Sequence, residues 1–238
     1  MKVLALWLSL APACFAQPAA SSAAPPVSAA PAAIATPEVS FQFERIGLPV
    51  PKFELVVHED GTGTYQAQMA PVSSGAGAAM RPASSGPPIN RPIRISPSTT
   101  ETIFKTARAL DRFNIECASK AKNIADTGKK TLSYKGADGQ GSCLYNYSEN
   151  KGVTQLTEMF QAIAFTMDEG RKLEFLHRFD RLGLYSEIDT LNHEIAEKRA
   201  LELGNIAPAL KAIIADEDLM QKVRERAAKL LAESEQPK

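Results

Sequence analysis

Three histidines are the residues best suited to acid–base or metal chemistry, and their spacing supports neither. His58 ends a strand-like run beside a turn, while His177 and His193 fall in separate helical stretches. No His-Glu-x-x-His pair occurs and no two histidines stand at ligand spacing, so no metal site is expected. Asp126-Thr127-Gly128-Lys129-Lys130-Thr131 has the outline of a phosphate loop. Asn123, however, stands where the first glycine belongs, and Lys130 separates Lys129 from the threonine. Gly139-Gln140-Gly141 lacks the third glycine of a dinucleotide fingerprint, and no Gly-x-Ser-x-Gly elbow is present. Asp168-Glu169 and Asp216-Glu217-Asp218 read as solvated helix ends rather than a catalytic carboxylate pair. Asp138–Gly141 lacks the acidic ligands of a calcium loop. Arg171, Lys172, Arg178 and Arg181 form a basic side interrupted by Glu174 and Asp180, which reads as a solvated face. These patterns call for no catalytic residue and no cofactor.

Two groups remain. Tyr134, Tyr145 and Tyr147 fall close together on one expected hairpin, where they form either a binding surface or the ordinary outer face of a sheet. Cys117 and Cys143 are the only cysteines beyond the leader region. In an oxidising compartment an even pair reads as one structural disulfide, worth roughly 3–4 kcal/mol on the chain-entropy account.

The compartment follows from the leader. Met1-Lys2 is a minimal positive region, Val3–Leu10 an apolar run, and Pro12 a break before Cys14-Phe15-Ala16. A bilayer span needs roughly 20 apolar residues, so this is a secretory signal cut between Ala16 and Gln17, with export to the periplasm or beyond. Cys14 offers an alternative, a lipid anchor, though Ala11 and Pro12 fit a lipobox poorly. The 27 basic and 27 acidic side chains cancel. That balance excludes a general nucleic-acid binder and electrostatic adhesion to anionic lipid.

Residues 17–37, nearly all Pro, Ala and Ser, read as a disordered tether. Phe41 and Phe43, then Phe53, Leu55 and Val57, alternate as half-buried strands do. Asp60-Gly61 between two such runs predicts a type I′ hairpin. A flexible loop is expected over 70–92, followed by a short strand at Ile93–Ile95. Ser98 and Glu101 have capping-box spacing for a helix whose stripe includes Ile103, Phe104, Ala107 and Phe113. Thr131–Tyr134 and Cys143–Tyr147 read as a second strand pair, and Thr154–Asp168 as a second helix. Beyond Glu169 only helices are expected: Arg171–Arg181, a helix capped at Ser186 running to Gly204, Ile206–Ala215 and Leu219–Ala232. The fold class is therefore α+β, an antiparallel sheet packed by two helices over residues 38–168, with an all-helical extension over 169–238.

The order of FELVVHEDGTGTY, IRISPSTTETIFKTARALDRF, KTLSY and CLYNYS resembles an uncharacterised domain family of exported bacterial proteins, which implies a fold and an export habit but no activity. Pro208, Leu210, Ile213, Asp216, Val223 and Leu230 resemble one HEAT-type helical repeat, and a terminal helical hairpin is the plainer alternative. These features favour a non-catalytic interaction or structural protein of the periplasm or cell envelope, acting through an envelope protein partner. The alternative is a secreted hydrolase or enzyme accessory whose site is assembled from residues far apart in sequence.

Overall fold

The computed structural model describes residues 36–70 and 88–234. The signal segment with its Ala16–Gln17 junction, Cys14, the tether as far as Ala35 and most of the loop expected over 70–92 lie outside them.

Six strands form one antiparallel sheet: β1 (Glu38–Glu44), β2 (Lys52–His58), β3 (Thr62–Gln68), β4 (Ile89–Arg94), β5 (Lys129–Gly136) and β6 (Gly139–Tyr145), in the order β4-β3-β2-β1-β5-β6. Period-two alternation sends Val39, Phe41, Phe53, Leu55, Tyr65 and Leu132 to one face, as the pleat requires. Helices α1 (Pro97–Ala109) and α2 (Lys151–Phe179) cover that face and supply Ile103, Phe104, Leu156 and Phe160 to the same core. Phe41 stacks on Phe160 at 5.3 Å between centroids, joining the central strand to α2. The sheet's other face carries Ser40, Gln42, Val56, Thr64 and Ser133 in register across the strands.

The β2–β3 turn departs from type I′. Positive φ is confined to Gly61 (+78°), so Glu59–Gly61 form a three-residue loop ending in one left-handed residue. Gly61 is held there by its neighbours: its carbonyl accepts from the Ile95 N–H at 2.8 Å, and a Cβ would lie 2.8 Å from the Ile95 oxygen. The strand expected at Ile93–Ile95 begins earlier, at Ile89, and so takes the last residues of the expected loop. Pro92 is tolerated because β4 is an edge strand. The first helix also starts earlier than its capping-box spacing suggests. Ser96 is the N-cap, and Pro97 occupies the first turn, where its fixed φ is already helical. Ser98 and Glu101 therefore lie inside the helix.

The two helices expected on either side of Asp168-Glu169-Gly170 are one continuous helix, α2. Gly170 does not break it; it leaves room for Ile206, which any Cβ would displace. The N-terminal part of α2 belongs to the sheet core, while Leu173 opens a second core shared with α3 (Gly183–Ala196), α4 (Ala207–Ala215) and α5 (Gln221–Ser234). Helix α3 stops at Ala196 rather than Gly204, because the chain turns back through left-handed Lys198 and Glu202. The residues released by that turn seal the β4 edge. The Asn205 side chain accepts from the Arg94 N–H at 2.7 Å and donates to the Arg94 carbonyl at 2.9 Å, as a neighbouring strand would. Arg91 makes a bidentate pair with Glu174 at 2.8 and 2.6 Å. Glu202 accepts from the Ser96 N–H and hydroxyl, both at 2.8 Å.

An exposed edge invites pairing with another chain. Asn205→Ala should therefore lower stability by about 1–2 kcal/mol in chemical denaturation and increase self-association in light scattering. Unchanged values for both would show that the edge needs no cover.

Candidate functional site

A cleft of about 610 Å³ lies between the β2–β3 loop and α1 and also holds an unsatisfied buried group. Its parts follow from local sequence. Asp60 accepts from the Thr62 N–H and hydroxyl at 2.8 and 2.6 Å, which stiffens the loop and holds the Asp60 carboxyl below its ordinary range. Helical spacing places Thr100, Glu101, Phe104, Lys105 and Arg108 on the side of α1 that faces this loop. Ile95 and Phe104 make an apolar floor, both nearly fully buried.

Thr100 is 5% exposed and its hydroxyl has no hydrogen-bond partner. Its backbone N–H donates to the Ser96 carbonyl at 2.9 Å, but the hydroxyl does not share that acceptor as helical threonines often do. An unpaired buried hydroxyl costs about 1–3 kcal/mol, and this one lies beneath the cleft surface, so an occupant reaches it only where the lining gives way.

The far wall is fixed by a charge network. Arg108 donates to Glu59 at 2.6 Å and to Asp138 at 3.3 Å, and its guanidinium lies over the rings of Phe104 and Tyr134 at 5.7 and 5.9 Å. The Tyr134 hydroxyl donates to Asp138 at 2.6 Å, and Arg112 donates to the same carboxylate at 3.3 Å. That hydroxyl, foremost among the causes, holds Asp138 below the usual carboxylate range. Arg112 reaches Asp138 from three consecutive left-handed residues, Asp111, Arg112 and Phe113, with φ of 49°, 55° and 67°. Each costs roughly 1–2 kcal/mol. The Asn114 amide offsets part of that cost by donating to the Asp111 and Gln140 carbonyls at 3.0 and 3.1 Å, and Phe113 is fully buried.

The sequence candidates are dispersed. Tyr134 and Tyr145 do not share a surface with Tyr147: they are 2% and 4% exposed and face the helices, because they alternate in phase with Leu132 and Cys143. Tyr147, beyond the end of β6, is 47% exposed. Cys117 and Cys143 are bonded, with Cα atoms 5.8 Å apart. His58 is half-buried on β2 and His193 is exposed on α3. His177 meets Asp216 at 2.9 Å and Arg181 meets the same carboxylate at 3.1 Å, a tie between the end of α2 and the α4–α5 turn that lies outside the cleft. Asp168 pairs with Arg171 at 2.8 Å. Its neighbour Glu169 is not a solvated helix end: it is 6% exposed, beside Glu187 of α3, itself 8% exposed, and Lys172. Asp216 likewise is drawn inward by His177, while Asp218 stays exposed.

Thr100, Glu59 and Arg108 carry no signal in the sequence, and Tyr134, a sequence candidate, serves the cleft wall rather than the surface expected of it. These residues are widely separated along the chain and form no motif. The residues lining the cleft include both charge signs, an apolar floor and a free hydroxyl, but neither histidine nor cysteine. Such a lining can bind and orient a polar chain, and it offers no nucleophile with an adjacent base. No known family profile matches the sequence, and no curated protein matches it.

Proposed function

We propose that this chain is an exported, non-catalytic interaction module of the bacterial cell envelope, and that it seats a short polypeptide segment of a partner protein in the cleft between the β2–β3 loop and α1. The observation that carries this reading is the buried, unpartnered Thr100 hydroxyl at an apolar floor, with Glu101 and Lys105 exposed at the rim. A peptide brings what this lining lacks: backbone groups for the hydroxyl, an apolar side chain for Ile95 and Phe104, and charges of either sign for the rim. The disulfide supports export, since such bonds persist in oxidising compartments. Among the described residues no helix is long and apolar enough to cross a membrane. In the same reading the α4–α5 hairpin is a HEAT-type unit that closes the second core.

Thr100→Val separates binding from folding because the two effects have opposite signs. Removing an unpaired buried hydroxyl should raise stability by about 1 kcal/mol. It should also weaken capture of the partner several-fold, measured with a photo-crosslinking residue at position 101 in intact cells. A discrete partner captured by the parent and lost in Thr100→Val supports the reading. No cross-link at position 101, or equal capture by both proteins, overturns it.

A further inference from the structure

A second cavity, at the opposite end of β5 and β6, has a lining of a different kind. It measures about 230 Å³ and sits between the chain after β6 and the first turns of α2. All of its lining residues carry polar side chains.

The groups at its base are already committed to one another. Lys130 is 5% exposed and its ammonium contacts four protein oxygens: the Thr127 carbonyl and hydroxyl at 3.0 and 2.9 Å, the Gly128 carbonyl at 3.0 Å and the Asn146 carbonyl at 2.7 Å. Three N–H protons face four acceptors, so none remains for an anionic ligand. The Tyr145 hydroxyl pairs with Thr157 at 2.6 Å, and Thr157 donates to the Val153 carbonyl. These bonds fix the floor and leave it rigid.

The rim is more open. Glu158 is exposed, Gln161 is half-buried, and Tyr147 presents about half of its surface to solvent. An aromatic face beside a carboxylate and an amide is the equipment for a pyranose ring. The ring's apolar C–H face lies on the π-surface while its hydroxyls donate to the carboxylate and bond the amide. Glu158 disfavours phosphates and other anions. The volume is below that of drug-sized pockets, which start near 300 Å³, and suits a single ring of a longer chain. We propose that this cavity is a binding site for one neutral sugar ring of a glycan, with Tyr147 as the stacking platform and Glu158 and Gln161 as the hydroxyl partners. It is independent of the peptide cleft, and neither proposal depends on the other.

The test uses the full chain and a panel of tetramers of neutral hexoses and of N-acetylhexosamines, in saturation-transfer NMR followed by calorimetry. At least one tetramer should bind at the millimolar level or tighter. Tyr147→Ala should weaken it at least about tenfold, Tyr147→Phe should preserve it, and Gln161→Ala should weaken it severalfold. Because Tyr147 and Gln161 lie outside the buried core, the thermal midpoints of the variants should stay with the parent. Gln161→Ala reads the same site if Tyr147→Ala fails to fold. Absence of binding across the panel overturns the assignment, as does binding that both alanine variants leave unchanged.

Discussion

Glu169→Gln should match the parent in stability near pH 5 and exceed it at pH 8, by an amount on the order of 2–4 kcal/mol. The cause lies between α2 and α3. Burial, first, and then the adjoining Glu187 carboxyl push Glu169 up to about 8. Burial acts in the same sense on Glu187, but hydrogen bonds with Glu169 and Lys172 outweigh it and hold that carboxyl below its ordinary range. Lys172 reaches Glu187 at 2.6 Å and Glu169 only at 3.9 Å, so it serves Glu187 first. One Glu169 oxygen has no partner at all. The folded chain therefore keeps a proton on Glu169 where the unfolded chain, with its ordinary value of 4.5, has lost it. Because the folded state binds more protons between pH 4.5 and about 8, stability falls across that window as pH rises, by up to about 1.4 kcal/mol per pH unit. Glu187 acts in the opposite direction and only in the acid range: its contribution is lost as pH falls through its lowered value. Glutamine mimics the protonated acid in shape and can still donate to Glu187, so it removes the alkaline penalty. Denaturant midpoints of both proteins from pH 5 to 9 decide the matter. Parallel profiles would show that Glu169 carries no extra proton.

The sequence made this pair hard to see for the same reason that it divided α2. Asp168-Glu169-Gly170 has the composition of a helix end, and only tertiary contacts reverse the meaning: Glu187 and Lys172 surround Glu169, and Ile206 requires Gly170. The strands were legible because burial on one face of a sheet writes a period-two pattern directly, as in Phe53, Leu55 and Val57. Tyr134 and Tyr145, expected on a binding surface or an outer face, point inward instead, although the pattern carries the information. Tyr145 stands two residues after Cys143, so a buried disulfide cysteine places that tyrosine on the inner face. The cleft was not legible. Its wall depends on Arg108 meeting Asp138 across a left-handed turn, and three successive left-handed residues without glycine have no signature in sequence.

Breaking the Cys117–Cys143 bond should produce the largest loss of stability of any change considered, about 3 kcal/mol or more in chemical denaturation. The bond closes a loop of 26 residues, for which chain entropy alone gives roughly 3 kcal/mol. That is a large share of the 5–15 kcal/mol that ordinarily separates folded from unfolded domains. The loop it closes contains little regular structure between the left-handed turn and β5. The segment is otherwise held by scattered bonds, such as the Ser119 N–H to the Tyr147 carbonyl at 2.9 Å and the Asn146 amide to the Ala125 carbonyl at 2.9 Å. The loss should therefore be uneven. In hydrogen exchange, the amides of β6 and of residues 114–128 should open first, while α4 and α5, which belong to the second core, keep their protection. The effect should extend to the cleft. Strain in Asp111–Phe113 persists only while the surrounding structure fixes it, and the disulfide anchors the chain four residues beyond Phe113. A Cys117→Ala, Cys143→Ala double variant should let that turn relax, withdraw Arg112 from Asp138 and loosen the wall that Arg108 forms. Partner capture at position 101 should then fall even at temperatures where the variant remains folded. Equal denaturation midpoints with and without reductant would refute the stability argument. A folded double variant that captures its partner as well as the parent would show that the cleft wall does not depend on the strained turn.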